Sequence, residues 1–314
     1  MEKLHAKTGC AHACSAVHAK RRRRCRECGI TWTARKRRRG RKRTRGNIQA
    51  VVRYVQGKSV TLTFKQLRKS RDAFIRKTQW PVIPAGPCIL IVDALHIRTA
   101  TYRAIVHLIL VKPLHEERAY ILPPFVHSRG ENKWTWAEAL TNIPIEVLSN
   151  TQALVCDGRT GLPELGVYYG WLVQRCTFHL IARLQMKRSK YILSRHRRDG
   201  VFLYELFTTI CTTRSSRKLK LSLERLRHLA QVESHGQLRS IFSGLIKHYG
   251  DYRTYIEHPS LELPATTNAV ECLNSIIRRF LHRARGFQTA PSALAWIETL
   301  LKCRQFIRVK NHRN

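Results

Sequence analysis

CILIVDALHIR, residues 88–98, opens the part of the chain that sets the fold. PVIPAGP (81–87) precedes it, and three prolines and a glycine so close together break any helix or strand that runs into them. After the break the pattern is β-branched and apolar, which reads as a buried strand carrying one acid, Asp93. RAIVHLILV (103–111) and ERAYILPP (117–124) repeat the strand signature. ENKWTWAEALTNI (131–143) reads as a helix, and ALVCDGRTGL (153–162) returns to strand and ends it on Asp157.

Three strands, a helix and a fourth strand match the order of a ribonuclease H-like α/β core, expected over 86–180 and 262–314. That order brings Asp93 on a central first strand beside Asp157 on the fourth. From 181 to 261 strand signals nearly vanish. VFLYELFTTI, LKLSLERLRHLAQV and GQLRSIFSGLIKHYGDYRTYIEH predict an all-helical insertion there. A third acid follows on a helix of its own in TTNAVECLNSIIRRF (266–280). Thr267 is the expected N-cap, and Val270, Leu273, Ile277 and Phe280 form the apolar face. Asn268, Glu271, Asn274 and Arg278 share another face, one that can hold a metal and a phosphate together. An ordinary amphipathic helix with a solvated Glu has the same composition.

Charge narrows the partner. The chain has 58 Lys and Arg against 20 Asp and Glu, a net +38 and a pI near 10.8. A field of that sign recruits phosphate backbones by counterion release. With 43% hydrophobic residues the chain still supports a real core, so it is no disordered basic tail. No segment reaches the ~18 apolar residues of a membrane helix and the N-terminus has no apolar signal core, so a cytoplasmic, nucleoid-associated protein is expected.

Residues 1–46 hold 17 basic side chains against Glu2 and Glu27, a net +15. Cys10, Cys14, Cys25 and Cys28 are spaced as C-x3-C-x10-C-x2-C, two short thiolate pairs that suit tetrahedral structural Zn²⁺. His12 or His18 offers a substitute ligand, and a cysteine-rich basic tail without metal is the bland alternative. Arg21, Arg22, Arg23 and Arg24, with Arg37, Arg38, Arg39 and Arg41 in ARKRRRGRKRTR, then read as a phosphate-binding arm. Residues 47–82 show three short helical stretches, with Gly57 ending the first and a turn expected near Lys69–Ser70. That pattern fits a helix-turn-helix whose last helix offers Arg71, Arg76 and Lys77 to DNA, or else a helical linker.

Four motifs in order resemble the Mutator-type transposases of bacterial insertion sequences, a DDE family. They are D-A-x-x-x-x-R at Asp93, D-G-x-x-G-L at Asp157, RCTFHL with Cys176 and His179, and T-N-x-x-E-x-x-N-x-x-x-R at Glu271. The likeness runs from about 88 to 310, with Cys156 where a Ser is more usual before the second acid. It implies a ribonuclease H-like fold and a catalytic triad of Asp93, Asp157 and Glu271 that holds two Mg²⁺ or Mn²⁺ ions. The partners implied are double-stranded DNA, as element ends and as target, and a second protomer on that DNA. Cys176 and His179 are expected to support the site, to form half of a metal centre, or simply to pack. The alternatives are a non-catalytic DNA-binding protein of transposase descent and a structure-selective nuclease.

Overall fold

The computed structural model describes residues 15–19, 22–33, 47–98, 102–158, 161–187, 197–233, 236–284, 287 and 289–309. The chain forms two compact units, Met1–Asn47 and Ile48–Asn314.

In the first unit β1 (Ser15–Ala19), β2 (Arg22–Cys25) and β3 (Thr31–Thr33) make an antiparallel sheet in that order. Buried Cys25 ends β2, and exposed Cys28 lies in the turn that follows. The turn closes where Gly29 N–H donates to Cys25 O at 3.2 Å and Cys25 N–H donates to Ile30 O at 2.9 Å. Gly29 sits at φ +72°, a conformation that costs a side-chain-bearing residue energy. Cys10, Cys14, His12, Arg21, Arg37, Arg38, Arg39 and Arg41 lie outside the described residues, and of Arg22, Arg23 and His18 only the strand backbone is described.

The second unit is a mixed α/β body built on a seven-stranded sheet. Its strands are β4 (Cys88–Arg98), β5 (Arg103–Pro113), β6 (Arg118–Ile121), β7 (Phe125–His127), β8 (Thr151–Cys156), β9 (Leu172–Arg175) and β10 (Phe306–Arg308). The order is β10-β6-β5-β4-β8-β9, with β7 also paired to β5. β4, β5 and β6 pair antiparallel, whereas β8 runs parallel to β4 and β9 parallel to β8. β4 and β5 are buried on both faces, which is why they read as continuous apolar runs rather than alternating ones.

Side chains alternate across each strand. Ile89, Ile91, Leu95 and Ile97 of β4 share one core with Ala153 and Val155 of β8. That face is covered by α1 (Ile48–Val55), α2 (Phe64–Lys77), α11 (Asn268–Arg283) and α12 (Ala290–Arg304). Leu90, Val92, Leu154 and Cys156 point the other way, against α3 (Lys133–Thr141), α4 (Ile145–Ser149) and α5 (Leu162–Tyr168). Val270, Leu273, Ile277 and Phe280 carry α11 onto the sheet, each fully or almost fully buried and each contributing about 1.5–3 kcal/mol.

Between β9 and α11 lie α6 (Thr177–Lys187), α7 (Arg197–Thr212), α8 (Ser216–Val232), α9 (Gly236–His248) and α10 (Thr254–Glu257). They enclose a core of their own, with Leu184, Phe207, Leu226 and Phe242 at its centre. This helical cluster begins within α6, whose Leu180 already belongs to it, slightly before the expected border at 181. It is tied to β9 by Arg175 Nε, which donates to Asp251 Oδ2 at 2.8 Å, and by Tyr255 N–H, which donates to Gln174 Oε1 at 2.9 Å. The helical run expected over 236–258 breaks after His248, where Tyr249–Arg253 turns around Gly250.

The expected turn near Lys69–Ser70 is not formed, and the segment holds two helices instead of three. FKQLRKSRDAFIRK contains no helix breaker, and a capping box starts it: Gln66 N–H donates to Thr63 Oγ1 while Thr63 N–H donates to Gln66 Oε1. Both helices give their apolar faces to the main core through Val51, Val55, Leu67 and Phe74. No helix among the described residues is long and apolar enough to cross a membrane.

Candidate active site

Asp93 occupies an odd position of β4, with Ile91 and Leu95, and so faces the α11 side of the sheet. β4 and β8 are parallel, with Ile91 level with Val155. Continuing that register by two residues brings Asp93 level with Asp157, the first residue past β8, on the same side. Glu271 comes to the same place from the first turn of α11. Anions are favoured in a first helical turn, where free N–H groups and the helix dipole point outward.

Each acid is held in place by neighbours. Asn274 Nδ2 donates to Asp93 Oδ2 at 2.6 Å, and Ala94 N–H donates to Oδ1 at 2.9 Å. Asn274 is one turn beyond Glu271 and is itself buried. Burial raises the Asp93 carboxyl to about 6, helped by the charges of Asp157 and Glu271 and opposed by His179. The Asp93 carboxyl therefore senses the other two acids.

Glu271 is gripped through Oε1. Thr267 Oγ1 donates to it at 2.7 Å, the Cys176 thiol at 3.9 Å, and His179 Nδ1 lies 3.4 Å away. Thr267 has no solvent exposure, and its N–H donates to Cys176 Sγ at 3.3 Å. Its hydroxyl has one proton, which goes to the charged carboxylate in preference to the sulfur at 3.2 Å. His179 is pushed up to about 9, first by its hydrogen bond with Cys176 and then by the charges of Cys176, Glu271 and Asp157, with burial opposing. The ligand atoms of Cys176, His179 and Glu271 all lie within 4.8 Å of one another, the spacing of a metal-binding group.

The glycines of DGRTGL have geometric reasons. Gly158 and Gly161 sit at φ +77° and +97°, and a Cβ on Gly161 would meet Lys133 Cα at 2.7 Å. Arg175 Nη1 donates to Gly158 O at 3.2 Å and pins the loop that follows Asp157.

Other expected site residues fall elsewhere. Asn268 and Arg278 are exposed on α11, and Asn274 orients Asp93 rather than Glu271. Arg71 is turned inward: it pairs with Asp72 Oδ1 at 2.6 Å and lies over the Trp296 ring at 5.1 Å, so it is not offered to DNA. Arg76 and Lys77 on the last turn of α2 are exposed, as is Arg24 in the first unit. The reading as an N-cap missed the role of Thr267. A Thr four residues before a helical Glu stands directly beneath it, and that spacing was the available signal.

The family model for transposases of the Mutator family matches residues 88–308, which spans β4 through β10 and all three acids. The chain belongs to the Mutator family of transposases. Membership makes it a DNA-processing protein, in keeping with its +38 charge. No individual curated protein matches the chain. Within this Mutator-family transposase the matched segment takes in the whole helical cluster.

Proposed function

We propose that this transposase is a DDE enzyme, which cuts the ends of a mobile element and joins the freed 3′-hydroxyls to target DNA. The observation that carries the reading is the meeting of Asp93, Asp157 and Glu271 on one side of the sheet, from two adjacent parallel strands and the start of α11. The antiparallel β4, β5 and β6, followed by parallel β8 and β9 in the order β6-β5-β4-β8-β9, support a ribonuclease H-like core.

Oxygen donors of this kind fit Mg²⁺ or Mn²⁺, and gathering three half-buried carboxylates at one place is a charge arrangement that a divalent ion would relieve. Asp93, Asp157 and Glu271 would hold it; when bound, it would polarise the phosphate and activate the attacking hydroxyl or water. Asn274 and the Ala94 amide fix the Asp93 carboxylate, and Thr267 fixes Glu271 through Oε1. His179 Nδ1 lies 3.4 Å from Glu271 Oε1, so a protonated imidazole there would add positive charge where a scissile phosphate arrives. Cys176 and His179 act on this reading as positioning residues for Glu271.

In the first unit, the tight turn that presents Cys25 and Cys28 at its two ends supports a zinc ribbon completed by Cys10 and Cys14. Basic residues around it would grip DNA phosphates, and joining two element ends requires two protomers, so the active form would be a homodimer on DNA. The deciding experiment offers pre-cut ends and a target plasmid with Mg²⁺. Strand joining supports a transposase, cutting without joining supports a nuclease, and neither supports a DNA-binding module.

A further inference from the structure

A cavity of about 680 Å³ opens between α6, α7, α10 and the strap that leads into α11. That is the size of pocket that takes a small organic group, about 300–1,000 Å³. Its floor adjoins the acid site. Thr177, in the lining, follows Cys176, and Thr266 precedes Thr267; Thr177 N–H and Oγ1 both donate to Ala265 O, at 3.1 and 3.2 Å, and lock the two walls together. Phe178 lines it 50% exposed, with its ring edge-on to His179 at 6.0 Å, and Tyr204 of α7 faces it 41% exposed. Tyr255 adds a third ring whose hydroxyl donates to Cys211 O at 3.2 Å, and Arg214 adds a cation. Glu262, also in the lining, is paired with His115 Nδ1 at 3.4 Å.

We infer that this cavity receives one nucleobase, unstacked from the DNA strand next to the scissile phosphate. The inference rests on the acid site being where DNA is cut. Exposed aromatic faces beside a phosphate-handling site are what a base extruded from a duplex stacks on, and such stacking tolerates any base because every base has a π face. Extrusion of a neighbouring base also loosens the backbone around the phosphate, which lets it approach the acids. Arg214 meets the phosphate that trails the base, or stacks on its ring.

The test uses full-length protein in EDTA, so that nothing is cut, and a forked duplex with 2-aminopurine at the first unpaired nucleotide. Stacking in the cavity quenches the probe's fluorescence. Phe178→Ala combined with Tyr204→Ala is expected to abolish the quench and weaken fork binding by about 5- to 150-fold, the range for losing a base–aromatic stack. Affinity for a blunt duplex stays unchanged. Thr208→Trp fills the cavity while keeping every ring and charge, and is expected to do the same. Phe178→Ala combined with Tyr204→Trp is expected to restore the quench, which separates stacking from a folding defect. A wild-type protein that leaves the probe bright, or a quench that survives both the double variant and Thr208→Trp, overturns the inference. Because the readout needs no catalysis, a failure here leaves the joining assay untouched, and a failure to join leaves the quench interpretable.

Discussion

Replacing Asp93 by Asn should stabilise the metal-free protein while removing its activity. Asp93 is raised from 3.8 to about 6 in the folded state, mainly by burial and then by the charge of Asp157. A raised carboxyl folds without penalty while it is protonated, below its unfolded value, and the penalty grows as pH climbs through the folded value. The two-unit gap is worth about 3 kcal/mol at pH 7.5 and about 1 kcal/mol at pH 4.5. Asn removes that cost. It also offers one acceptor where Asp93 offers two, so either Asn274 Nδ2 or the Ala94 N–H loses its partner, at about 1–2 kcal/mol. The variant should therefore be about 1–2 kcal/mol more stable than wild type at pH 7.5, and level with it or slightly less stable at pH 4.5. Urea unfolding of both proteins in EDTA at the two pH values reads this directly, and taking wild type minus variant cancels every other titrating group. Adding Mg²⁺ should then stabilise wild type more than Asp93→Asn. A difference between the two proteins that does not change with pH would refute the buried, charge-crowded site from which the figure is worked.

Asp157→Asn and Glu271→Gln should each cut end joining by about 100-fold or more, with DNA binding kept or slightly tighter by gel shift, since a ligand is lost while repulsion of phosphate falls. Thr267→Val keeps the shape of a buried side chain but frees Glu271 Oε1, and joining should drop by about 10–100-fold with little change in melting temperature. Cys25→Ser should release about one Zn²⁺ per chain and unfold the first unit alone; loss of the second unit's thermal transition, or no zinc in the wild type, counts against the ribbon. Deleting 1–46 removes a net +15 and should flatten the salt dependence of DNA binding by about 0.9 for each phosphate no longer neutralised, more than any other deletion of equal length.

The strands around the acids were legible because they are buried on both faces and rich in β-branched residues, and Asp93 and Asp157 interrupt those runs where no fold would place an acid for stability. α11 was legible from its spacing, since Val270, Leu273, Ile277 and Phe280 fall on one stripe. β9 and β10 escaped notice: LVQR and FIR are too short and too polar to show a period. The missing turn in α2 has a different cause. Lys69 and Ser70 are polar, but neither breaks a helix, and the burial of Ser70 and Arg71 against the core is a tertiary fact that no local pattern carries. Arg71 was misjudged for the same reason, because a guanidinium over Trp296 and one in a DNA groove look alike in sequence.

The second layer of the site follows from spacing once the fold is known. Glu271 lies at the start of α11; four residues back, Thr267 reaches its Oε1, and three residues on, Asn274 reaches the Asp93 carboxylate. One helix turn in each direction thus lets α11 carry both the acid Glu271 and the amide that holds the acid of β4. Cys176 and His179 add a third anchor from α6 and the residue before it, which lead into the helical cluster. Glu271 is thus held by side chains of the cluster, whereas the Asp93 backbone is fixed by strand pairing with β5 and the loop after Asp157 turns on its glycines.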